Sequence, residues 1–304
     1  MEIAVVGLGV IGGSFAKALH RIKHPEDSIY AIDIDQTTLD FAREGGYIAY
    51  GERRNQTILQ EADLVIMGLY PEAMKEFLKE HMDEFKKDAI ILDTSGVKQI
   101  LLKDIDSYFP PQADLILGHP MAGRESRGFA FADGNIYNNA NFLLTPIKSN
   151  KKENIEYIVD LLYEIGFGRV TITTPEIHDE MIAFTSQLTH AIAVALMNSD
   201  QYGEETIRFV GDSYRDLTRI ANINEKLWTE LFMENKDYLL KVIQQFKEEF
   251  LKLEEAVKEE DIASLTELFQ ESSKRRQALE NTDYKLNKER EKKQIEKLIN
   301  DDSF

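Results

Sequence analysis

From the first residue to about position 172, short apolar runs alternate with amphipathic stretches. Glu2–Val6, Ser28–Asp33, Ala62–Leu69, Ala89–Thr94 and Asp114–Gly118 are almost continuously apolar. That pattern predicts strands buried on both faces, as in a parallel sheet, because a one-sided strand would alternate apolar with polar. Between them, Gly12–Ile22, Leu39–Glu44, Glu72–Phe85 and Gln99–Phe109 carry apolar residues at helical spacing. Asn141–Ile147 and Arg169–Thr173 predict further strands, with a helix over Asn154–Ile165. Strand and helix taking turns in this way predict an α/β fold, an N-terminal Rossmann-type doubly wound parallel sheet.

The pattern changes at Thr173-Thr174-Pro175-Glu176. A threonine oxygen for the N-cap, a proline whose missing N–H costs nothing at the first helical position, and an acid at the positive dipole end together predict a helix start. From there the chain reads as helix. The expected organisation is a nucleotide-binding domain over 1–172, an all-α domain over 173–284 and a charged tail over 285–304. The tail carries six basic and five acidic groups with few apolar ones. His178–Asn198 is apolar around most of its surface and rich in alanine, and Phe246, Phe250, Leu253 and Val257 continue at helical spacing. A helix of that kind is buried, here by other helices or by a second subunit, so a homodimer through the helical domain is expected. No apolar run is read as approaching the ~18–20 residues of a membrane span.

Composition narrows the chemistry. A length of 304 residues fits two domains. There is no cysteine, which excludes disulfides, zinc–thiolate sites and cysteine nucleophiles. No metal-ligand cluster is evident in the sequence. The formal charge of −18 makes nucleic acid and anionic membranes poor partners. An anionic small substrate would need cations gathered locally. The opening Met1-Glu2-Ile3-Ala4-Val5-Val6-Gly7 has no basic segment and enters a strand at once, so no secretory leader is expected and a cytoplasmic location is.

Gly7-Leu8-Gly9-Val10-Ile11-Gly12 is a G-x-G-x-x-G between the first strand and the first helix. In a dinucleotide site Gly7 permits the tight turn, Gly9 the approach of a pyrophosphate, and Gly12 the close packing of helix on sheet. Asp33 stands 21 residues after Gly12, at the end of the second strand. Its carboxylate can accept from a ribose 2′-OH and would repel a 2′-phosphate, which favours NAD. Asp35 competes for that role from a position beyond the strand.

Gly118-His119-Pro120-Met121-Ala122-Gly123-Arg124-Glu125-Ser126 follows a predicted strand end, where ligands sit in open α/β sheets. His119 there is either a proton acceptor working near neutral pH or a turn histidine held by backbone. Three further segments bear on the choice: Asp93-Thr94-Ser95-Gly96-Val97-Lys98, Ser186-Gln187-Leu188-Thr189-His190 and Asp216-Leu217-Thr218-Arg219-Ile220-Ala221. Taken alone, His190 reads as a satisfied core histidine or a ligand group. Arg219 reads as part of a surface network with Asp216 or as an anion holder.

Together with GLGVIGGS and GHPMAG, these segments resemble the prephenate dehydrogenase family over about residues 1–280. The resemblance implies oxidative decarboxylation of prephenate to 4-hydroxyphenylpyruvate with NAD, in tyrosine biosynthesis. It implies His119 as the catalytic histidine on the ring hydroxyl, His190 near the pyruvyl arm, and Arg219 on the ring carboxylate. Ser186 and Asp216 are implied as supporting residues and Glu125 as an acid at the mouth; Arg124 and Arg127 add charge that not every relative has. Many family members carry a serine immediately before Val-Lys that assists the histidine. Here that position is Gly96, and Ser95, which precedes it, is the serine carried as a catalytic candidate with His119 and His190. The helix motif also departs, with Gln187-Leu188-Thr189-His190 where the family often has His-Leu-Pro-His. His178, beside Asp179 at a helix start, reads as a cap or a supporting group. The rival readings are arogenate dehydrogenase, a hydroxyacid dehydrogenase of the same architecture (which would want a lysine on the buried helix) and a non-catalytic NAD-binding sensor.

Overall fold

Strands that are apolar on both faces need cover on both, and the chain supplies it. In the computed structural model, residues 1–103, 105–123, 126–281 and 293 are described. Eight strands form one sheet: β1 (Glu2–Val6), β2 (Ser28–Ile32), β3 (Tyr50–Glu52), β4 (Leu64–Met67), β5 (Ile90–Asp93), β6 (Asp114–Pro120), β7 (Asn141–Thr145) and β8 (Arg169–Ile172). Their order is β3-β2-β1-β4-β5-β6-β7-β8. Along β1, Ile3 and Val5 join one apolar cluster, with Phe15, Leu19, Tyr137 and Leu162. Ala4 and Val6 join the cluster on the opposite face, with Met74, Leu78 and Leu101. The sheet is therefore covered on both sides, as the strand pattern requires.

Two features depart from the expectation of a parallel sheet. Strand β7 runs antiparallel to β6, while the other pairs are parallel. A parallel return needs a crossover of a dozen or more residues, usually a helix. The described part of the β6–β7 connection offers only the 3₁₀ turns Phe129–Phe131 and Gly134–Tyr137. These lie on the Val10–Ile22 helix, where the Tyr137 hydroxyl donates to the Ile11 carbonyl at 2.8 Å. The edge strand β3 is also new. At three residues with one of them glycine, it carries no apolar run to read. The predicted Gln99–Phe109 helix is a four-residue helix, Gln99–Leu102, followed by a 3₁₀ turn at Ile105–Ser107.

The predicted cap holds: Thr174 Oγ1 accepts from the Ile177 N–H at 3.3 Å, and helix runs from Pro175 through a π-helical turn, Ala183–Gln187, to Asn198. By length and composition alone this helix of 24 residues, mean hydropathy 1.2, is long and apolar enough to cross a membrane. That corrects the reading that no run approaches a span; its Thr, Ser, Gln and His residues interrupt the run without lowering the mean enough. One such helix is weak grounds for a membrane, since the apolar core helix of a globular domain has the same composition.

The chain forms two compact units, and they do not follow a single cut at residue 172. The first holds Met1–Asp179 together with Asn222–Glu234; the second holds Glu180–Ala221 and the described residues from Asn235 to Asn281. The Glu225–Glu234 helix belongs to the first because it docks there. The Glu230 carboxylate accepts from the Glu72 N–H at 2.7 Å, Asn224 donates to the Tyr70 hydroxyl at 2.7 Å, and the Leu231 side chain lies over Gly96. In the second unit, the Lys236–Lys258 helix leaves Phe246, Phe250 and Val257 exposed, at 36, 57 and 64 %. The apolar stripe expected to be covered is thus open within one chain. The tail expected over 285–304 lies, apart from Lys293, outside the described residues.

A Cβ on Gly12 would stand 1.9 Å from the Gly7 carbonyl oxygen. Gly12→Ala should therefore force the first helix off the sheet. A fall in the thermal midpoint together with loss of dinucleotide binding is the expected result, read by calorimetry; a variant that keeps both would show that the contact can relax.

Candidate active site

The glycine loop has the shape its sequence calls for. Gly7 takes a positive φ of 84°, and its N–H donates to the Ile32 carbonyl at 2.8 Å, tying the turn to the end of β2. Gly9 precedes the Val10–Ile22 helix, with no side chain capping the first turn and no acid within it. A Cβ at Gly9 would meet nothing within 4 Å. An uncapped helix N-terminus with open space beside it suits an anion such as a pyrophosphate.

Asp33 lies just past β2. Its Oδ2 accepts from the Leu8 N–H at 2.6 Å and its Oδ1 from the Asp35 N–H at 2.9 Å. The carboxylate is thereby anchored to the glycine loop itself, with lone pairs left over for a further donor. Asp35 is committed elsewhere: it caps the Gln36–Glu44 helix, accepting from the Thr37 N–H and the Thr38 hydroxyl. Of the two acids, Asp33 is the one tied to the glycine loop, and Asp35 is engaged as a helix cap.

His119 sits inside β6 and not on the loop after it. The reason is β7, which pairs with Leu117–Pro120 and extends the strand, setting His119 opposite Leu143. The parallel partner β5 pairs only as far as Ile116, so His119 stands beyond its carboxyl end. The ring is half-buried. Its Nδ1 lies 3.0 Å from Nε2 of His178, and Nδ1 of His178 lies 2.7 Å from Oδ1 of Asp179. Asp179 also accepts the N–H groups of Lys98 and Gln99, at 2.9 and 2.8 Å. His178 is thus in direct contact with the catalytic candidate. The adjacent His-Asp pair at a helix start was the available signal, and its reach across to β6 was not readable from spacing.

The segment after β5 holds a second missed group. Lys98 is wholly buried, and its ammonium is bound by the Asp93 carboxylate, the Ser95 carbonyl at 2.8 Å and the Ser95 hydroxyl at 3.1 Å. Asp93 also accepts from the Ser95 N–H at 2.8 Å and the Gly118 N–H at 3.3 Å. Ser95 donates its own hydroxyl to the Val97 carbonyl at 3.1 Å. The Ser95 hydroxyl, the catalytic candidate of this segment, is engaged by Lys98 and Val97, and no hydrogen bond joins it to His119. The residue against the imidazole is Gly96, where a Cβ would lie 3.9 Å from Cε1 of His119.

Burial pushes the His119 pKa well below the ordinary histidine value, and His178 and the Lys98 charge push the same way. Burial also lowers His178, against the opposing hydrogen bond from Asp179. His119 is therefore neutral near pH 7, the state a proton acceptor needs. Arg127, on the stretch beyond β6, is exposed and pairs with Glu225. Arg124 and Glu125 lie outside the described residues.

The remaining site residues are in the second unit. His190, half-buried on the Leu188–Asn198 helix, has Nδ1 2.9 Å from the Ser186 carbonyl in the π-helical turn. Such turns widen a helix by one residue and occur often at functional sites. The same turn holds Gln187, buried, whose amide oxygen accepts from Asn235 at 2.9 Å. Asp216 and Arg219 are exposed on the Asp212–Thr218 helix and the 3₁₀ turn that follows it, and that turn packs against the His190 helix. Ser186, His190 and Arg219 are thus brought together in one unit, and His119, Asp33 and the glycine loop in the other.

The folded pKa values of His119 and His178 lie below the unfolded one. The unfolded chain then takes up protons first, so the stability they confer is full above about pH 6.5 and falls as pH drops below it. Glu234 works in the opposite sense. Burial lifts it to about 7, one of its oxygens has no hydrogen-bond partner, and Lys75 stands 4.0 Å away. Protonation of Glu234 stabilises the fold as pH falls through 7. In Glu234→Gln, where that opposing contribution is gone, the urea midpoint should decrease from pH 7.5 to 5.5, and more steeply than in the wild type. A flat or rising midpoint in this variant would contradict neutral burial of the two histidines.

Comparison with known proteins now adds what geometry leaves open. The family model described as the nucleotide-binding domain of prephenate dehydrogenase matches residues 15–171, and that of its dimerization domain matches 174–271. The chain is similar to the cyclohexadienyl dehydrogenase of Zymomonas mobilis, 32 % identical over 293 residues, covering 94 % of this chain and 98 % of the relative. It is similar also to the prephenate dehydrogenase of Bacillus subtilis, 30 % identical over 284 residues, covering 91 % of this chain and 76 % of the relative. Among solved structures, prephenate dehydrogenase from Aquifex aeolicus in complex with hydroxyphenyl propionate and NAD+ superposes with a TM-score of 0.83 at 27 % identity, covering 92 % of this chain and 98 % of that one. With a matched model over more than half its length and a relative aligned almost end to end, the chain belongs to the prephenate dehydrogenase family.

Proposed function

We propose that this chain oxidises prephenate with NAD, releasing carbon dioxide and 4-hydroxyphenylpyruvate. The observation that carries the reading is His119: a neutral, half-open imidazole past the carboxyl end of β5, in the unit that bears the glycine loop. NAD, when bound, supplies the acceptor for the hydride that leaves the hydroxyl-bearing ring carbon. The chain's own residues fit it, through the open space at Gly9, the uncapped first helix and the Asp33 carboxylate held at the loop. Asp33 accepts from the ribose 2′-OH and its charge disfavours a 2′-phosphate.

His119 takes the hydroxyl proton as the carbon–oxygen bond becomes a carbonyl. Loss of the ring carboxylate as carbon dioxide then makes the ring aromatic, its bonding pair reaching the carbonyl oxygen as a phenolate that takes the proton back from His119. Arg219 holds that carboxylate, a role that matters in a chain of net charge −18. A guanidinium suits it because its fork can donate two parallel hydrogen bonds. His190 and Ser186 serve the pyruvyl arm, and Asp216 supports Arg219. The apolar residues open on the second unit, Phe246 and Phe250 among them, are covered in a homodimer. The matched dimerization domain and the Aquifex complex, whose ligand carries a hydroxyphenyl ring and a carboxylate arm, support these readings. A second substrate, arogenate, is favoured by the cyclohexadienyl name of the Zymomonas relative.

Incubation with NAD and either prephenate or arogenate, followed at the NADH absorbance, tests the proposal. Turnover of prephenate is expected; turnover of arogenate alone, or of neither, would overturn it. Arg219→Ala should raise the prephenate KM roughly 10- to 200-fold, from the loss of a charge-assisted pair, with a smaller effect on kcat. An unaltered KM would move the carboxylate site elsewhere. Asp33→Ser should shift the NAD/NADP preference toward NADP, and an unchanged ratio would contradict the ribose role.

A further inference from the structure

We infer that His178 and Asp179 are positioning residues that lock His119 in one tautomer, with the proton on Nδ1 and the lone pair on Nε2. The inference rests on the reading of His119 as the proton acceptor and says how the fold prepares it.

Asp179 faces three donors: the Lys98 N–H at 2.9 Å and Nδ1 of His178 at 2.7 Å on Oδ1, and the Gln99 N–H at 2.8 Å on Oδ2. An ionised carboxylate only accepts, so Nδ1 of His178 must carry hydrogen. In a neutral His178, Nε2 then holds a lone pair. That atom lies 3.0 Å from Nδ1 of His119, so the hydrogen between them belongs to His119. The second nitrogen of His119 is left bare. A free histidine side chain prefers the opposite tautomer, with hydrogen on Nε2, which would present a donor where the reaction needs an acceptor.

The neighbouring charges are consistent with this chain. Lys98 spends its hydrogens on Asp93 and Ser95 and offers none to either ring. Its positive charge and the burial of both rings disfavour an imidazolium at His178 in the resting state. When His119 Nε2 takes the hydroxyl proton, one O–H bond breaks and one N–H bond forms. The new positive charge then faces Asp179 through His178, without any proton passing along the line.

The test reads the tautomer directly. In protein labelled with ¹⁵N-histidine, long-range ¹⁵N–¹H correlation at pH 7.5 should find both His119 and His178 protonated on Nδ1. Hydrogen on Nε2 of a neutral His119 would overturn the inference, whatever the enzyme's substrate proves to be. Variants add a functional reading. His178→Gln keeps the polarity, since its amide can donate to Asp179 and accept from His119, and should retain more of kcat than His178→Leu, which can do neither. Asp179→Asn places an amide donor among donors and should reverse His178. The expected loss in kcat is about 10²–10⁴, with NAD Kd and prephenate KM within a few-fold. Equal losses in the Gln and Leu variants, tracking their thermal midpoints and leaving the His119 tautomer unchanged, would reduce His178 to a packing residue. If His119→Asn itself keeps kcat, the reading of His119 as acceptor fails, and the tautomer measurement still stands apart from it.

Discussion

Much of the first unit hangs on one buried charge. Lys98 has no solvent contact, and Asp93 faces it with none either. Desolvating an ammonium costs several kcal/mol, and a carboxylate partner with further hydrogen bonds is what offsets it. The pair therefore cannot be loosened locally. It fixes the turn after β5 through the Ser95 carbonyl and hydroxyl, and it grips β6 through the Gly118 N–H. The Lys98 backbone N–H meets Asp179 and so anchors the start of the second long segment of the chain. His119, His178 and Gly96 take their places from these ties.

The same arrangement sets the electrostatics. Burial, with the fixed Lys98 charge adding to it, keeps the two histidines neutral where solvent would let them protonate. In an acidic chain that is a local inversion of sign. Whole-molecule charge argues against nucleic acid and says little about a small anion, because a few placed cations decide that binding.

What was legible in the sequence follows from which interactions are local. The strand cores, the glycine loop and the Thr174 cap each depend on spacing within a short window, and the sequence carries them. The family resemblance rested on motifs of this kind and the matched domains bear it out. The antiparallel β7 was not legible, because its direction is set by a connection without a helix. That strand also moved His119 from a loop into β6. The His119–His178 and Lys98–Asp179 contacts join residues 59 and 81 positions apart, and nothing in the spacing announces them. The contacts of Ser95 were equally unreadable: its hydroxyl meets Lys98 and Val97, both close in sequence, but which way it turns is set by the buried ammonium.

The central claim is that a hydride leaves the ring carbon whose hydroxyl proton His119 accepts. It is tested most directly with prephenate carrying deuterium on that carbon, in a single turnover with NAD. The account requires the label to appear on the reduced nicotinamide, none of it in water, and carbon dioxide to be released in equal amount. Deuterium found in solvent, or NADH formed without the label, would contradict it.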